Sequence, residues 1–192
     1  LIVALRDGFF GQPPEQLGGV QGTLSTYLEF FINPEIAEVF CANEPTFSMD
    51  QIDSGKIVCV AMPQKFQSER LYINTILKLS YYFHALSRFD KPTEEREKAN
   101  LIVLFADEGQ EIITGAESAF ADHRAAGIIR EARSTMVLAT QAYTSLHGSL
   151  DRRYADVLML NLSNELIFTC ANHDSALIAS KSIGEREVVE KT

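Results

Sequence analysis

The chain has 192 residues, enough for one good core and a small attachment but not for two full domains. Hydrophobic residues are 46% of it and charged residues 22%, with only 11 Gly and 6 Pro, which excludes disordered, collagen-like and low-complexity chains. The net charge of -9 argues against a surface coated for nucleic acid, because phosphate binding needs Lys and Arg.

In chain order, residues 7–22 hold five glycines and Pro13-Pro14, which break regular structure and isolate the apolar run Leu1 to Leu5. Thr23 to Ile32 places Leu24, Tyr27, Leu28 and Phe31 at helical spacing, and Asn33-Pro34 ends that helix and starts a second one reaching about Phe40. Ile57 to Met62 is a continuous apolar run rich in β-branched residues and stopped by Pro63, the pattern of a strand buried on both faces. From Ser68 to Phe89 the apolar positions Tyr72, Ile76, Leu79, Phe83 and Leu86 fall at spacings of 4, 3, 4 and 3, an amphipathic helix expected to pack on a sheet.

Asp90 to Asn100 reads as a charged connector, and Leu101 to Ala106 repeats the buried-strand pattern. A helix is expected over Glu117 to Arg133, a third strand over Thr135 to Ala139, a helix over Asp151 to Leu160, a fourth strand over Leu166 to Cys170, and a last helix over Asp174 to Ile183 closed by Gly184. This alternation implies an α/β fold, a mostly parallel sheet with helices on both faces, whose ligands bind beyond the carboxyl ends of the strands. No apolar run approaches the roughly 20 residues of a membrane helix. Cys41, Cys59 and Cys170, an odd number at wide spacing, are expected to be reduced, buried thiols of a cytosolic protein.

The strand over Leu101 to Ala106 ends in Asp107-Glu108, at the edge where ligands bind. Nucleotide hydrolases use such a pair: the first carboxylate holds a hydrated Mg²⁺ and the second polarises water for attack on a γ-phosphate. Many strands also end in an acid for no such reason, and these two residues alone leave both readings open. The next strand ends in Thr140-Gln141, whose amide could sense a γ-phosphate or orient the water if the two strands are neighbours. Arg130 and Arg133 either complement a helix dipole or include an arginine finger that acts across a subunit interface. Between Ala121 and Arg153 five arginines face three acids, a local charge of +2 against -11 elsewhere, so any contact with a polyanion is expected there. His84, His123, His147 and His173 form no H-E-x-x-H, and no G-x-S-x-G is present. His84 is expected at the core or its rim.

Three segments then occur in the order of one family: Gly55-Lys-Ile-Val-Cys-Val-Ala-Met-Pro63, Leu101-Ile-Val-Leu-Phe-Ala-Asp-Glu108, and Gly127-Ile-Ile-Arg-Glu-Ala-Arg-Ser-Thr-Met-Val-Leu-Ala-Thr-Gln141. With the Asn33-Pro34-Glu35 hairpin before them, the chain resembles the type IV secretion coupling proteins of the TraD/TraG class from about Leu17 to Ile183. That resemblance implies a RecA-like P-loop NTPase fold, hexameric and ATP-driven, that moves DNA or DNA-protein conjugates toward a secretion channel. It implies ATP and Mg²⁺ as ligands, DNA, a relaxase or channel proteins and five further copies of itself as partners, and a place at the cytoplasmic face of the bacterial inner membrane.

By the same resemblance Asp107 and Glu108 are the Walker B pair, with Asp107 on Mg²⁺ through water. Gln141, beside Thr140, reads the γ-phosphate; Arg130 is the arginine finger and Arg133 its reserve. The Walker A loop G-x-x-x-x-G-K-[ST] does not occur in the 192 residues. Together with the opening at Leu1, this implies that the phosphate cradle and any membrane anchor lie upstream. Residues 1–50 are then a linker and helical hairpin, residues 51–192 the C-terminal part of the motor domain, and the chain alone is expected to be soluble, cytoplasmic and inactive. The other readings are a HerA- or FtsK-like DNA-processing motor, or a non-catalytic nucleotide-binding or assembly module.

Overall fold

The computed structural model describes residues 13–115, 120–170 and 172–184, in two compact units, Leu1–Thr46 and Phe47–Thr192. In the first unit α1 (Pro14–Leu28) runs into a 3-10 turn (Glu29–Ile32), and α2 (Pro34–Phe40) follows. Asn33 caps α2, its side chain accepting the Glu35 N–H at 3.1 Å, and Pro34 occupies the first helical position, so the expected boundary is present. The expected break over residues 7–22 is not: among its described residues the helix already starts at Pro14 and includes Gly18, Gly19 and Gly22. Pro presets the first φ, and a helical Gly costs only about 1 kcal/mol without forbidding the helix. The run Leu1 to Leu5 and residues 7–12 lie outside the described residues.

The second unit contains α3 (Asp50–Asp53), α4 (Gln67–Ser87), α5 (Thr93–Lys98), β1 (Ile102–Ala106), α6 (Asp122–Ile128), β2 (Ser134–Leu138), α7 (Tyr143–Ser149), α8 (Arg152–Asn161) and α9 (His173–Ile183). β1 and β2 pair in parallel, Ile102 opposite Ser134 through Ala106 opposite Leu138. The unit is therefore a mixed, mainly helical arrangement around a small two-stranded parallel sheet, compatible with an α/β class.

Several expectations are corrected. Residues 57–62 and 166–170 form no strand, and Ile57, Leu166 and Phe168 are 93%, 89% and 91% exposed. An apolar run becomes a strand only when a neighbour takes up its backbone hydrogen bonds, and among the described residues neither segment has one. The thiols follow suit: Cys41 and Cys59 are exposed and Cys170 half-buried, all three free. The sheet is covered on one face only among the described residues. Ile102 and Ala106 point into the core, whereas Val103 and Phe105 on the opposite face are exposed, Phe105 by 67%. The helix expected to begin at Glu117 is shorter, α6 followed by a 3-10 turn (Ile129–Ala132), with residues 116–119 outside the described ones. The connector before β1 holds α5, and α7 was not expected at all.

Helix α4 matches its expected range but buries a different stripe. Its buried residues are Ile73, Lys78, Tyr81, Tyr82, His84 and Ala85, while Phe83 of the expected stripe is 68% exposed and Ile76 38%. The reason is that the phenols and the amine enter the core with their polar atoms satisfied. The Tyr81 hydroxyl lies 2.6 Å from Ser134 Oγ and 3.1 Å from the carbonyls of Ile102 and Thr135, tying α4 to both strands. Tyr81, Tyr82 and Ala85 then pack with Ile102, Met136, Ala125 and Ile129 as the main cluster.

At the far end of α4 the buried Arg88 donates through Nη1 to the carbonyls of Asn100, Ala132 and Arg133 at 3.1, 2.9 and 3.0 Å, and through Nη2 to Asp53. One guanidinium thus joins the starts of both strands. His84 lies at the rim as expected, its Nε2 3.1 Å from Asp53 Oδ1. Burial raises the Asp53 carboxyl, but hydrogen bonds and charge from Arg88 and His84 outweigh it and hold the group below the usual carboxylate range.

A carboxyl depressed in the folded state contributes stability above its unfolded pKa and loses it as pH falls through the folded value. The chain should therefore lose urea resistance on acidification below about pH 4, and Asp53→Asn should be weaker at pH 7 with a shallower acid limb. Equal acid limbs in parent and variant would contradict this. Arg88→Met leaves three carbonyls and a carboxylate without their donor and should cost about 3 kcal/mol in the same assay.

Candidate active site

The site grows from the carboxyl ends of β1 and β2. The ladder continues past them: the Ala139 N–H donates to the Ala106 carbonyl and the Gly109 N–H to the Ala139 carbonyl, both at 2.9 Å. The residues after each strand therefore stay side by side, and Gln141 arrives next to Glu108. The Gln141 amide donates to Glu108 Oε1 at 2.7 Å, and the Gln110 amide donates to Oε2. Glu108 itself is left-handed, at φ 50°, and its N–H donates to Asp107 Oδ1 at 3.1 Å. Both acids follow the end of β1 at Ala106 and belong to this turn rather than to the strand. A non-glycine residue in this conformation costs about 1–2 kcal/mol, so its surroundings must hold it there.

Space favours glycine at 109. A Cβ there would lie 1.9 Å from Leu138 Cδ1 and 2.8 Å from Leu138 Cγ. The next residues form a 3-10 turn (Gly109–Glu111), and Glu111 Oε2 pairs with Arg70 Nη2 at 2.6 Å. The hydrogen bonds from Gln110 and then Gln141, with a smaller contribution from the Arg70 charge, hold the Glu108 carboxyl below the usual range against slight desolvation. Glu108 is thus an anion at neutral pH, suited to orienting a water more than to being a strong base.

Beyond the turn, the chain is anchored from inside. Lys78 Nζ donates to the Ile112 carbonyl, to Thr114 Oγ1 at 3.2 Å and to Asp122 Oδ2 at 2.6 Å. Asp122 also accepts from the Thr114 N–H at 2.6 Å, from the Thr114 hydroxyl at 3.0 Å and from the Tyr82 hydroxyl. Lys78 is 2% exposed and Asp122 not at all. Desolvation pushes the Lys78 ammonium below its ordinary pKa, with the Asp122 charge opposing. Burial first, then the adjacent Asp122 carboxylate, raises the Tyr82 phenol.

Glu108, Gln141 and Asp107 are brought together, and Thr140 sits among them with its hydroxyl 3.3 Å from the Ala142 carbonyl. Arg130 and Arg133 are not. The Ile102 N–H donates to the Arg133 carbonyl, which sets both arginines at the opposite edge of the sheet, about 16 Å away for strands of five residues. Both are exposed, as are Arg124, Arg152 and Arg153 in the basic stretch. Sequence reasoning missed Gln110, Arg70, Lys78 and Asp122. Gln110 was legible as a polar residue two places past Glu108; Lys78 and Asp122 lie far apart in sequence and meet only in the fold.

Among the described residues no three His, Cys, Asp or Glu side chains gather as a metal site. A single exposed carboxylate such as Asp107 fits the kind of Mg²⁺ that keeps its waters and takes phosphate oxygens for the rest of its shell.

The family model described as type IV secretory system conjugative DNA transfer matches residues 7–192 of the chain. No curated protein and no solved structure matches it. Among the described residues no helix is long and apolar enough to cross a membrane.

Removing either glutamine should raise the Glu108 pKa, Gln110→Ala more than Gln141→Ala, in a carbon-detected NMR titration of the carboxyl. The reverse order would contradict the geometry. Gly109→Ala should cost about 1–3 kcal/mol in urea unfolding, less if Leu138 is trimmed to Ala in the same chain.

Proposed function

From the premise that the chain belongs to the type IV secretory system conjugative DNA transfer family, we propose that it supplies the Walker B half of an ATP-hydrolysing motor that drives DNA, or a DNA-protein conjugate, toward the secretion channel. The observation that carries this reading is the hydrogen bond from Gln141 to Glu108 across neighbouring parallel strands, at the sheet edge where nucleotides bind in α/β folds. A RecA-like domain accounts for two further features, the apolar residues on the uncovered face of β1 and the exposed apolar run at 57–62. The phosphate cradle must come from a Walker A loop outside these 192 residues.

In this reading Glu108 holds the attacking water in line with the γ-phosphorus and takes its proton as the new P–O bond forms and the bond to the β-phosphate oxygen breaks. Gln141 donates to the Glu108 carboxylate in the resting site, and a γ-phosphate oxygen would compete for the same amide, so nucleotide occupancy and water orientation are linked through one side chain. Asp107 would hold the Mg²⁺, which supplies charge neutralisation at the phosphates when bound. Thr140 lines the same edge.

Arg130, with Arg133 in reserve, lies at the other edge of the sheet from Glu108, and in this reading it would complete a neighbour's site in a homo-hexamer. The exposed arginines between 124 and 153 would meet DNA, and the motor would sit at the cytoplasmic face of the inner membrane with a relaxase or channel proteins as partners.

In a motor containing this chain and a Walker A loop, Glu108→Gln should reduce turnover at least about a hundredfold while ATP stays bound, and Arg130→Ala should reduce it about a thousandfold. Mixing the two variants should restore part of the activity, since some interfaces then pair an intact Glu108 with an intact Arg130. Unchanged turnover in Glu108→Gln would instead favour a non-catalytic assembly module.

A further inference from the structure

Helix α4 grips the segment that leaves Glu108 at two points. Near its start Arg70 pairs with Glu111 at 2.6 Å, on the 3-10 turn that carries Gln110. Two turns further on, Lys78 takes the Ile112 carbonyl and, with Asp122, the amide and hydroxyl of Thr114. We propose that Arg70 and Lys78 are positioning residues for Glu108, fixing from α4 the turn 109–114 and, through the Gln110 amide, the orientation of the Glu108 carboxylate.

Three observations carry this. Glu108 occupies an unfavourable left-handed conformation, which relaxes unless the chain is held on both sides; on the upstream side β1 holds it, and downstream the Gly109–Ala139 hydrogen bond and this turn do. The Lys78–Asp122 pair has no exposed surface to speak of, and a buried pair of this kind adds little stability over apolar residues of the same volume. What it adds is direction: its hydrogen bonds dictate where the Ile112 carbonyl and the Thr114 amide sit. Finally, Gln110 links turn and carboxylate directly, since its amide donates to Oε2 while Gln141 holds Oε1. The catalytic consequence rests on the role proposed for Glu108; the structural consequence does not.

The test compares Arg70→Gln, Arg70→Lys and Ile129→Ala, the last a destabilising variant of the main core cluster, in which no residue of the turn 109–114 takes part. In the ¹⁵N-labelled chain the side-chain amide signals of Gln110 and Gln141 report the contacts to Glu108. Arg70→Gln should move both toward the positions of solvent-exposed glutamines, Arg70→Lys should largely keep them, and Ile129→Ala should leave them unchanged. In the ATP-hydrolysing assembly Arg70→Gln should lower kcat about tenfold or more with KM for ATP within about twofold, a loss typical of a misplaced catalytic group. Lys78→Met gives a second probe of the same signals if it folds.

Unmoved glutamine signals in Arg70→Gln, or equal movement in Ile129→Ala, would overturn the inference. If the signals respond as expected but Glu108→Gln leaves turnover intact, the positioning stands and the ATPase reading of Glu108 fails. If Glu108→Gln abolishes turnover while Arg70→Gln changes neither signals nor kcat, the reverse holds.

Discussion

The hydrogen-bond ladder between β1 and β2 does not stop where the strands do. Ala139 still donates to Ala106 and Gly109 to Ala139, so the two chains leave the sheet as a pair. Glycine at 109 allows that continuity without displacing the Leu138 side chain, which a Cβ there would overlap. The continued ladder delivers an acid from one chain and an amide from the other to a common point. The Glu108–Gln141 contact is thus a consequence of backbone pairing, with the side chains completing what the register begins.

Helix α4 supplies what a two-stranded sheet cannot supply for itself. A pair of strands is marginal in water without a covering layer. Here the cover is bound by polar groups as much as by apolar ones: Tyr81 reaches both strands, and Arg88 gathers three carbonyls at their starts. Lys78 and Asp122 do the same at the opposite end, around the loop that leaves the candidate site. These hydrogen bonds form at fixed angles, which makes the placement of α4 on the sheet specific in a way that interchangeable apolar contacts do not. The same helix leaves Phe83 and Ile76 facing outward.

Part of this was legible in the sequence. β1 and β2 stand where apolar, β-branched runs announce them. Asn33-Pro34 marks a helix boundary by capping chemistry, and Gly184 at φ 83° closes α9 as its position suggests. The apposition of Gln141 and Glu108 followed once the two strands were taken as neighbours. Other features were hidden for physical reasons. Periodicity selects the most apolar stripe of α4, whereas the buried stripe contains Lys78, Tyr81 and Tyr82, whose polar atoms find partners only in the fold. Runs such as 57–62 and 166–170 have strand composition, but composition does not provide a neighbour. The Lys78–Asp122 pair spans residues whose meeting depends on the crossover between the strands, and nothing local in either segment signals it.

The most direct measurement is a structure of the assembled motor with Mg²⁺ and a non-hydrolysable ATP analogue. The account predicts the γ-phosphate within hydrogen-bond distance of the Gln141 amide, Asp107 facing the metal through water, and Arg130 of an adjacent subunit reaching the same phosphate from across the interface. A nucleotide bound away from the carboxyl ends of β1 and β2, with Glu108 and Gln141 still paired to each other and touching no ligand, would contradict it.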